Sequence, residues 1–197
     1  MTPERYLDAV ADAMGRLDRT RLAAVVAEFE RIYREGRRLF ACGNGGSAST
    51  ASHLVCDFQK SLITPDGRDL KAFALTDSLP LITAWANDAD YGQVFANQLG
   101  VLAERGDVLL AISGSGNSPN VLNAVDRARE MGVFTIGWSA FGGGRLAEKV
   151  DLSLVVPVHN MQVAEDLHLI IGHLVFTQLM HSISRPAAPS GMGSAAA

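Results

Sequence analysis

Apolar and polar positions along this chain follow two alternating patterns. Short, mainly apolar runs that are typical of buried strands occur at residues 39–42, 71–75, 108–112, 133–138 and 152–156. Between these runs and after the last, apolar residues recur every three to four positions. Two such segments precede the first run: residues 3–14, with Thr2 as the predicted cap, and residues 21–35, which Gly36 is expected to end. Between the second and third runs, helices are predicted over residues 79–86 and 93–104, with a polar loop over residues 87–90. The alternation predicts an α/β fold, in which a parallel sheet carries helices on both faces and two extra N-terminal helices.

Glycine- and serine-rich segments follow the first and third predicted strands. Residues 43–46 read GNGG and lead into Ser47, the predicted cap of a helix. Residues 113–118 read SGSGNS and lead into Pro119, the predicted start of another helix. Both segments lie at the carboxyl edge of the sheet, where helix N-termini and hydroxyls favour an anion. Neither a Walker lysine nor dinucleotide-type spacing is present, so a small phosphate ester is favoured over a nucleotide. The alternative is that these are ordinary turn residues.

Histidines and carboxylates occur at helical spacing in two predicted helices. His53 and Asp57 are four residues apart, which places them on one helix face. The last predicted helix, residues 163–184, carries Glu165, Asp166 and His173, of which Asp166 shares a face with His173 and Glu165 lies about 80° from it. One carboxylate and one imidazole from each helix would suit a divalent transition metal or a proton transfer. Alternatively these are surface or capping groups, since the first turn of a helix favours acidic residues. The remaining histidines are expected to be structural or exposed: His159, His168 and His181.

Composition narrows the class of protein. The 197 residues are 48% hydrophobic and 19% charged, which predicts one globular domain over residues 1–185 and a disordered tail over residues 186–197. A net charge of −4 argues against nucleic acid as a partner. No apolar run reaches the roughly 18 residues of a membrane span, and the N-terminal sequence lacks a signal-peptide core. The two cysteines, Cys42 and Cys56, are predicted to be buried free thiols, and a cytoplasmic location is expected.

Three motifs in order carry a resemblance to a known family. CGNGGSAS followed by a histidine, then AISGSGNS, then EDLHLIIGH, resemble the SIS (sugar isomerase) domain, and within it are most similar to the sedoheptulose 7-phosphate (phosphoheptose) isomerases. The resemblance covers residues 7–179. It implies a five-stranded parallel flavodoxin-like sheet, a homotetramer built partly by the N-terminal helices, and aldose–ketose isomerisation of a small phosphorylated sugar through an enediol, often with zinc.

The resemblance also assigns roles to individual residues. The positions that match the family's substrate contacts are Asn44, Gly45, Gly46, Ser47, Asn87, Asp88, Ser113, Gly114, Ser115 and Ser118. His53 and His173 match metal ligands of the family. Three positions depart from its pattern: Asp57 replaces a glutamate thought to act as base, Glu165 replaces a glutamine, and Gly114 replaces the threonine of a Ser-Thr-Ser motif. All three departures lie in the predicted site, and the implied fold does not depend on them.

Two hypotheses of function follow. In the first, Zn²⁺ held by His53, Asp57, Glu165 and His173 polarises the carbonyl of a ketose 7-phosphate. Asp57 or Glu165 then moves the proton between C1 and C2, with His173 as acid partner, and Glu165 also contacts the substrate. In the second, the chain is a non-catalytic phosphosugar sensor or an assembly scaffold, which the departures at Asp57 and Glu165 motivate. The presence of both His53 and His173 favours the enzyme.

Overall fold

The structure, a computed structural model, describes residues 1–61 and 69–184. Its strands are β1 (Arg38–Cys42), β2 (Lys71–Ala74), β3 (Val108–Ser113), β4 (Phe134–Ser139) and β5 (Leu152–Val155). Its helices are α1 (Pro3–Gly15), α2 (Arg19–Glu35), α3 (Gly46–Ser61), α4 (Leu79–Asp88), α5 (Val94–Leu102), α6 (Pro119–Met131), α7 (Gly144–Lys149) and α8 (Met161–Ser184). A 3₁₀ turn, Tyr91–Gln93, precedes α5. The predicted tail, residues 186–197, lies outside the described residues.

The five strands form one sheet in the order β2-β1-β3-β4-β5, and every neighbouring pair is parallel. This is the strand order of a flavodoxin-like fold, so the predicted fold class is confirmed. The chain runs outward in opposite directions from β1 and β3, which leaves a crevice beyond the carboxyl ends of these two neighbouring strands. The GNGG and SGSGNS segments follow these strands and therefore border the crevice.

Both faces of the sheet are covered, because the apolar strands offer side chains to each side. One core lies between the sheet and α1, α2, α3 and α8, and it includes Phe29, Leu54, Trp138 and Ile171. The other lies between the sheet and α4 to α7, and it includes Phe95. Burial of one such side chain stabilises the fold by about 1.5–3 kcal/mol. The two cores hold the crevice loops on a rigid base.

The predicted helix ends are close to the observed ones. Thr2 accepts a hydrogen bond from the Arg5 N–H at 3.4 Å at the start of α1, as predicted. Gly36 ends α2 in the left-handed region, with φ 64°, where glycine is favoured. The cap predicted for α3 is wrong, because this helix begins at Gly46 and Ser47 lies within its first turn.

The segment between β2 and β3 differs most from the prediction. The helix predicted for residues 93–104 is shorter, and it ends at Leu102. The Glu104 N–H donates to the Asp107 carboxylate at 2.9 Å, and this bond stabilises a turn where the helix was predicted to continue. Helix α4 continues further than predicted, so that Asn87 and Asp88 form its last turn rather than a loop.

The two cysteines differ in exposure. Cys42 is fully buried in β1, as predicted, and burial raises the pKa of its thiol to about 12. The same prediction for Cys56 is wrong, because its position on α3 faces solvent. Across residues 1–61 and 69–184, no helix has both the length and the apolar character needed to cross a bilayer.

Candidate functional site

A cleft of about 270 Å³ opens where the two glycine-rich loops meet at the carboxyl edge of β1 and β3. Its lining residues are Asn44, Gly45, Gly46, Ser47, Ile112, Ser113, Gly114, Ser115, Ser118, Met161 and Glu165. All of these except Ile112 and Met161 are predicted site residues. The structure therefore brings together eight of the ten residues predicted to contact substrate, and Glu165 lies beside them.

The first loop is a tight turn into α3. The N–H of Ser47 donates to the carbonyl of Asn44 at 3.0 Å, and Gly45 has φ 56°, a conformation that glycine adopts without strain. A Cβ at Gly43 would lie 2.7 Å from the Cβ of Ser47, so this position also requires glycine. The close packing brings the N-terminus of α3 to the cleft.

The second loop presents hydroxyls at the start of α6. Ser113 Oγ and Ser118 Oγ are 3.2 Å apart, and Ser118 occupies the cap position before Pro119 without using its side chain as a cap. Gly116, with φ 66°, packs on the carbonyl of Gly143, where a Cβ would clash. Hydroxyls and a helix N-terminus thus face the same cleft, which is the chemistry of a phosphate cradle without a basic side chain.

Met161 packs against Gly114 of the second loop. A Cβ at Gly114 would lie 2.5 Å from Met161 Sδ. The methionine sulfur therefore occupies the space that a larger side chain at position 114 would need, and it gives the cleft an apolar wall.

Glu165 enters the cleft from α8. This helix begins two residues earlier than predicted because Asn160 caps it, its Oδ1 accepting from the Val163 N–H at 3.1 Å. Glu165 consequently lies in the second turn, and the alternative that it serves in the first turn as a capping group is wrong. Its carboxylate packs directly on Gly46, where any Cβ would overlap the carboxyl atoms.

His53, Asp57 and His173 form a second cluster, on α3 and α8. His53 Nε2 and His173 Nε2 are 2.9 Å apart, and Asp57 Oδ2 lies 3.4 Å from the first and 3.7 Å from the second. In a tetrahedral zinc site with bonds of about 2.0–2.1 Å, neighbouring ligand atoms are about 3.3 Å apart. The three atoms therefore fit three corners of such a site, and their types suit Zn²⁺.

The cluster and the cleft are separated along the same pair of helices. Gly46 and Glu165 meet at the cleft, whereas His53 and His173 meet farther along α3 and α8. Glu165 and His173 are eight residues apart, so their backbone positions are separated by about 12 Å along α8 at a rise of 1.5 Å per residue. Among the described residues, the atoms grouped at the cluster are those of the two histidines and Asp57, and Glu165 is not one of them. The structure thus groups three of the four predicted ligands, while Glu165 lies about two turns earlier on α8.

Asn87 and Asp88 do not reach the cleft in this chain. They are exposed at the end of α4, where Asn87 Nδ2 donates to Asp88 Oδ1 at 2.8 Å, and neither is among its described lining residues. Their predicted contact with sugar hydroxyls has no support from this arrangement.

Two contacts near the site were not predicted. Asn120, in the first turn of α6, exchanges hydrogen bonds with Asn44. Tyr6 of α1 donates to the Asp166 carboxylate at 2.6 Å, and this bond raises the pKa of the Tyr6 hydroxyl to about 12. Each contact joins residues far apart in the sequence, so local pattern gave no signal for it.

The other histidines are structural or exposed, as predicted. His168 is buried against Trp138, with its Nε2 3.3 Å from the carbonyl oxygen of Ser139. Burial lowers the pKa of His168 to about 4, so its imidazole is neutral at pH 7. His159 and His181 are exposed on the surface.

Comparisons with known proteins place this geometry in context. Residues 5–140 match the model of the SIS domain. The chain is 38% identical over 172 residues to the phosphoheptose isomerase of Roseiflexus sp., which covers 86% of this chain and 87% of the relative. It is 40% identical over 172 residues to that of Mycobacterium tuberculosis, with the same coverage. The structure is similar to phosphoheptose isomerase GmhA from Neisseria gonorrhoeae, with a TM-score of 0.83 and 29% identity over 90% of this chain and 94% of that one.

Proposed function

Because the chain belongs to the SIS domain family, and its relatives of 38–40% identity are phosphoheptose isomerases, we propose that it isomerises sedoheptulose 7-phosphate to an aldose heptose 7-phosphate. The observation that carries the proposal is the pairing of a hydroxyl-lined cleft with an imidazole–carboxylate cluster on the same two helices. The serine loops of the cleft would hold the phosphate end of the substrate, and the cluster, together with Glu165 on the α8 side of the cleft, would act at the carbonyl end.

The phosphate would bind between the N-termini of α3 and α6. The hydroxyls of Ser47, Ser113, Ser115 and Ser118 offer neutral donors there, next to the positive ends of the two helix dipoles. The net charge of −4 does not oppose this, because the donors and the helix dipoles act locally.

His53, Asp57 and His173 would hold a divalent cation, for which Zn²⁺ is the proposed identity. When bound, the cation would polarise the substrate carbonyl and stabilise the negative charge of the enediolate. The three side chains leave one side of the cluster open, as in catalytic rather than structural zinc sites. The proposed role of His173 as acid partner competes with this one, because both uses need its Nε2, which faces the cluster.

Glu165 is the better candidate for the proton carrier. Its carboxylate lies in the cleft against Gly46, whereas the carboxylate of Asp57 faces two imidazoles. In the proposed reaction Glu165 removes a proton from C1 of the ketose, and the C1–C2 enediol forms as the carbonyl oxygen gains a proton. Return of the carbon-bound proton to C2, with loss of the proton from the C1 hydroxyl, gives the aldose.

Paired substitutions separate these two roles. Glu165→Gln and Asp57→Asn each remove one negative charge with little change in shape. We expect Glu165→Gln to retain bound zinc and to lower kcat by about 10²–10⁴-fold, the usual range for general acid–base groups. Asp57→Asn is expected to lose both zinc and activity. Glu148→Gln, at an exposed carboxylate of α7 outside the cleft and the cluster, is the matched control and should keep both.

The direct test is incubation of the purified protein with sedoheptulose 7-phosphate, after treatment with a chelator and after addition of Zn²⁺. The appearance of an aldose heptose 7-phosphate is followed by NMR. Absence of this product under every metal condition would overturn the proposal. A metal-free protein that binds the sugar phosphate without turnover would instead favour the sensor or scaffold. No specific contact among the described residues supports that alternative.

The proposal extends to assembly and location. An apolar groove of about 470 Å³ along α2 and α8, lined in part by Leu22, Val26 and Leu174, and the exposed Leu7 of α1 support association through the N-terminal helices. A homotetramer in the cytoplasm is the proposed form. Sedimentation equilibrium would test it, and a monomer at micromolar concentration would contradict it.

A further inference from the structure

A reciprocal pair of asparagines joins the two loops of the cleft. Asn44 Nδ2 donates to Asn120 Oδ1 at 2.9 Å, and Asn120 Nδ2 donates to Asn44 Oδ1 at 2.8 Å. Asn44 belongs to the loop after β1, and Asn120 to the first turn of α6, which follows the loop after β3. The pair therefore connects the two halves of the proposed phosphate site, although it lies 76 residues apart in sequence.

Neighbouring groups fix the orientation of both amides. The backbone N–H of Val121 can only donate, and it lies 3.0 Å from Asn120 Oδ1. The oxygen of Asn120 must therefore face this N–H, which leaves its NH₂ group directed at Asn44. The oxygen of Asn44 then accepts from Asn120, and the Tyr91 hydroxyl donates to the same oxygen at 3.1 Å. One arrangement of hydrogen bonds satisfies the whole set.

This arrangement determines what Asn44 can do. Its side-chain oxygen accepts two hydrogen bonds from the protein, so both lone pairs are used and none remains for a sugar hydroxyl. Asn120 is 2% exposed and cannot reach a ligand. Tyr91 is 56% exposed, and its hydroxyl donates its hydrogen to Asn44. The three side chains thus hold one another, and the loops that carry them, in one arrangement.

We propose that Asn120 and Tyr91 are positioning residues, which act through Asn44 to set the spacing of the two loops and thereby the affinity for the phosphate end of the substrate. The inference rests on the proposed function, because it takes the cleft as the phosphate site. A phosphate that accepts bonds from both loops needs them at one fixed distance, and affinity rises when that distance is set before binding. Because Asn120 is buried, its amide pair is shielded from competing water.

The test measures binding and turnover on the same variants. Asn120→Ala and Tyr91→Phe remove parts of the network without adding charge. Asn123→Ala is the matched control, since Asn123 lies one turn farther along α6 and donates to the Gly92 carbonyl at 3.0 Å, outside the cleft. The dissociation constant of inorganic phosphate is measured by calorimetry, and KM and kcat are measured with sedoheptulose 7-phosphate.

We expect Asn120→Ala to weaken phosphate binding and raise KM by about tenfold or more, with a smaller change in kcat, as for lost binding interactions. Tyr91→Phe should raise both constants about two- to fivefold, while Asn123→Ala should leave them within twofold. In the double variant Asn44→Ala/Asn120→Ala, the second substitution should add little to the first, since the two side chains act as one unit. Equal effects of Asn120→Ala and Asn123→Ala, or additive effects in the double variant, would overturn the inference.

Two features keep this test decisive. If Asn120→Ala does not fold, Tyr91→Phe still decides, because an exposed hydroxyl can be removed without disturbing the core, and unchanged phosphate binding in it would overturn the inference. Phosphate binding also needs no turnover. Altered binding in the variants of a protein that lacks isomerase activity would remove the proposed reaction and keep the positioning role. Full isomerase activity with unchanged binding would do the reverse.

Discussion

Gly46→Ala is the substitution that most directly tests the place given to Glu165. A Cβ at position 46 would lie well under 3.0 Å from the carboxyl atoms of Glu165, while ordinary contact begins at 3.4 Å. Because the obstacle is the end of a flexible side chain, the carboxylate must retreat by about 1 Å and the backbone can stay in place. Gly46 has no positive φ, so alanine fits its backbone conformation without strain.

The expected result is a loss of activity without a loss of stability. A misplacement of about 1 Å in a reacting group can cost on the order of 10²-fold in rate, which is about 3 kcal/mol of transition-state stabilisation. Alanine also has the better helix propensity, by up to about 1 kcal/mol, so the free energy of unfolding should be unchanged or higher. We therefore expect kcat/KM for sedoheptulose 7-phosphate to fall by about 10²-fold while the urea midpoint is maintained.

The matched control is Gly15→Ala in α1, where an added Cβ meets nothing within 4 Å. It should keep full activity. If the loss in Gly46→Ala acts through Glu165, then Gly46→Ala should add little to Glu165→Ala, in which the colliding carboxylate is absent. Wild-type kcat/KM in Gly46→Ala would refute the reasoning, and so would a fall of more than about 2 kcal/mol in the free energy of unfolding, since that would indicate damage to the fold.

Three further predictions concern other parts of the molecule. His53→Ala should lower bound zinc, measured by plasma mass spectrometry, to a small fraction of one ion per chain. The thermal midpoint of the metal-free protein should stay the same, because the His53 side chain is about half exposed. Retention of one zinc per chain would exclude His53 as a ligand. The folded-state pKa of His168, about 4, lies below its unfolded value of 6.5, so the stability contributed by the neutral imidazole is present above pH 6.5 and lost as the pH falls toward 4. Between pH 7 and 5, the free energy of unfolding of the wild type, measured in urea, should therefore fall by about 2 kcal/mol more than that of His168→Gln. Equal decreases in the two proteins would contradict this prediction. Gly114→Thr should weaken phosphate binding about tenfold, because the new side chain displaces Met161 at an overpacking cost of about 1–3 kcal/mol. Adding Met161→Ala to Gly114→Thr should restore phosphate binding. If the double variant binds phosphate as weakly as Gly114→Thr alone, contact with Met161 is not the cause.

The fold could be predicted because its signals are local. Apolar runs of strand length alternate with amphipathic segments, and this pattern alone requires parallel strands with helical crossovers. Element ends were less accurate where two local signals compete. The start of α8 is an example. The apolar pattern begins at Val163, but Asn160 is a good cap and starts the helix earlier. Its correct position moved Glu165 into the second turn and away from the helix dipole.

The candidate site, too, could be predicted only in those parts that local sequence signals or the sheet topology determine. Ser113, Ser118 and Gly46 were found because parallel topology brings the carboxyl ends of neighbouring strands together. His53 and Asp57 share a face by spacing, but their meeting with His173 depends on how α3 packs against α8. The partner of Asn44 depends on a contact between residues 76 apart, and periodicity carries no information about such pairs. Exposure of Cys56 was missed because its apolar neighbours suggested burial.

The difference between the two cysteines makes the chain convenient for spectroscopy. Cys42 is enclosed in β1 and its raised pKa keeps it as an unreactive thiol, so a maleimide dye at neutral pH would attach at Cys56 alone. That residue immediately precedes Asp57 on α3, so the dye would stand beside the imidazole–carboxylate cluster. Arrival and departure of a cation could then be followed as a change in fluorescence on natural-sequence protein, without the introduction of any foreign attachment point.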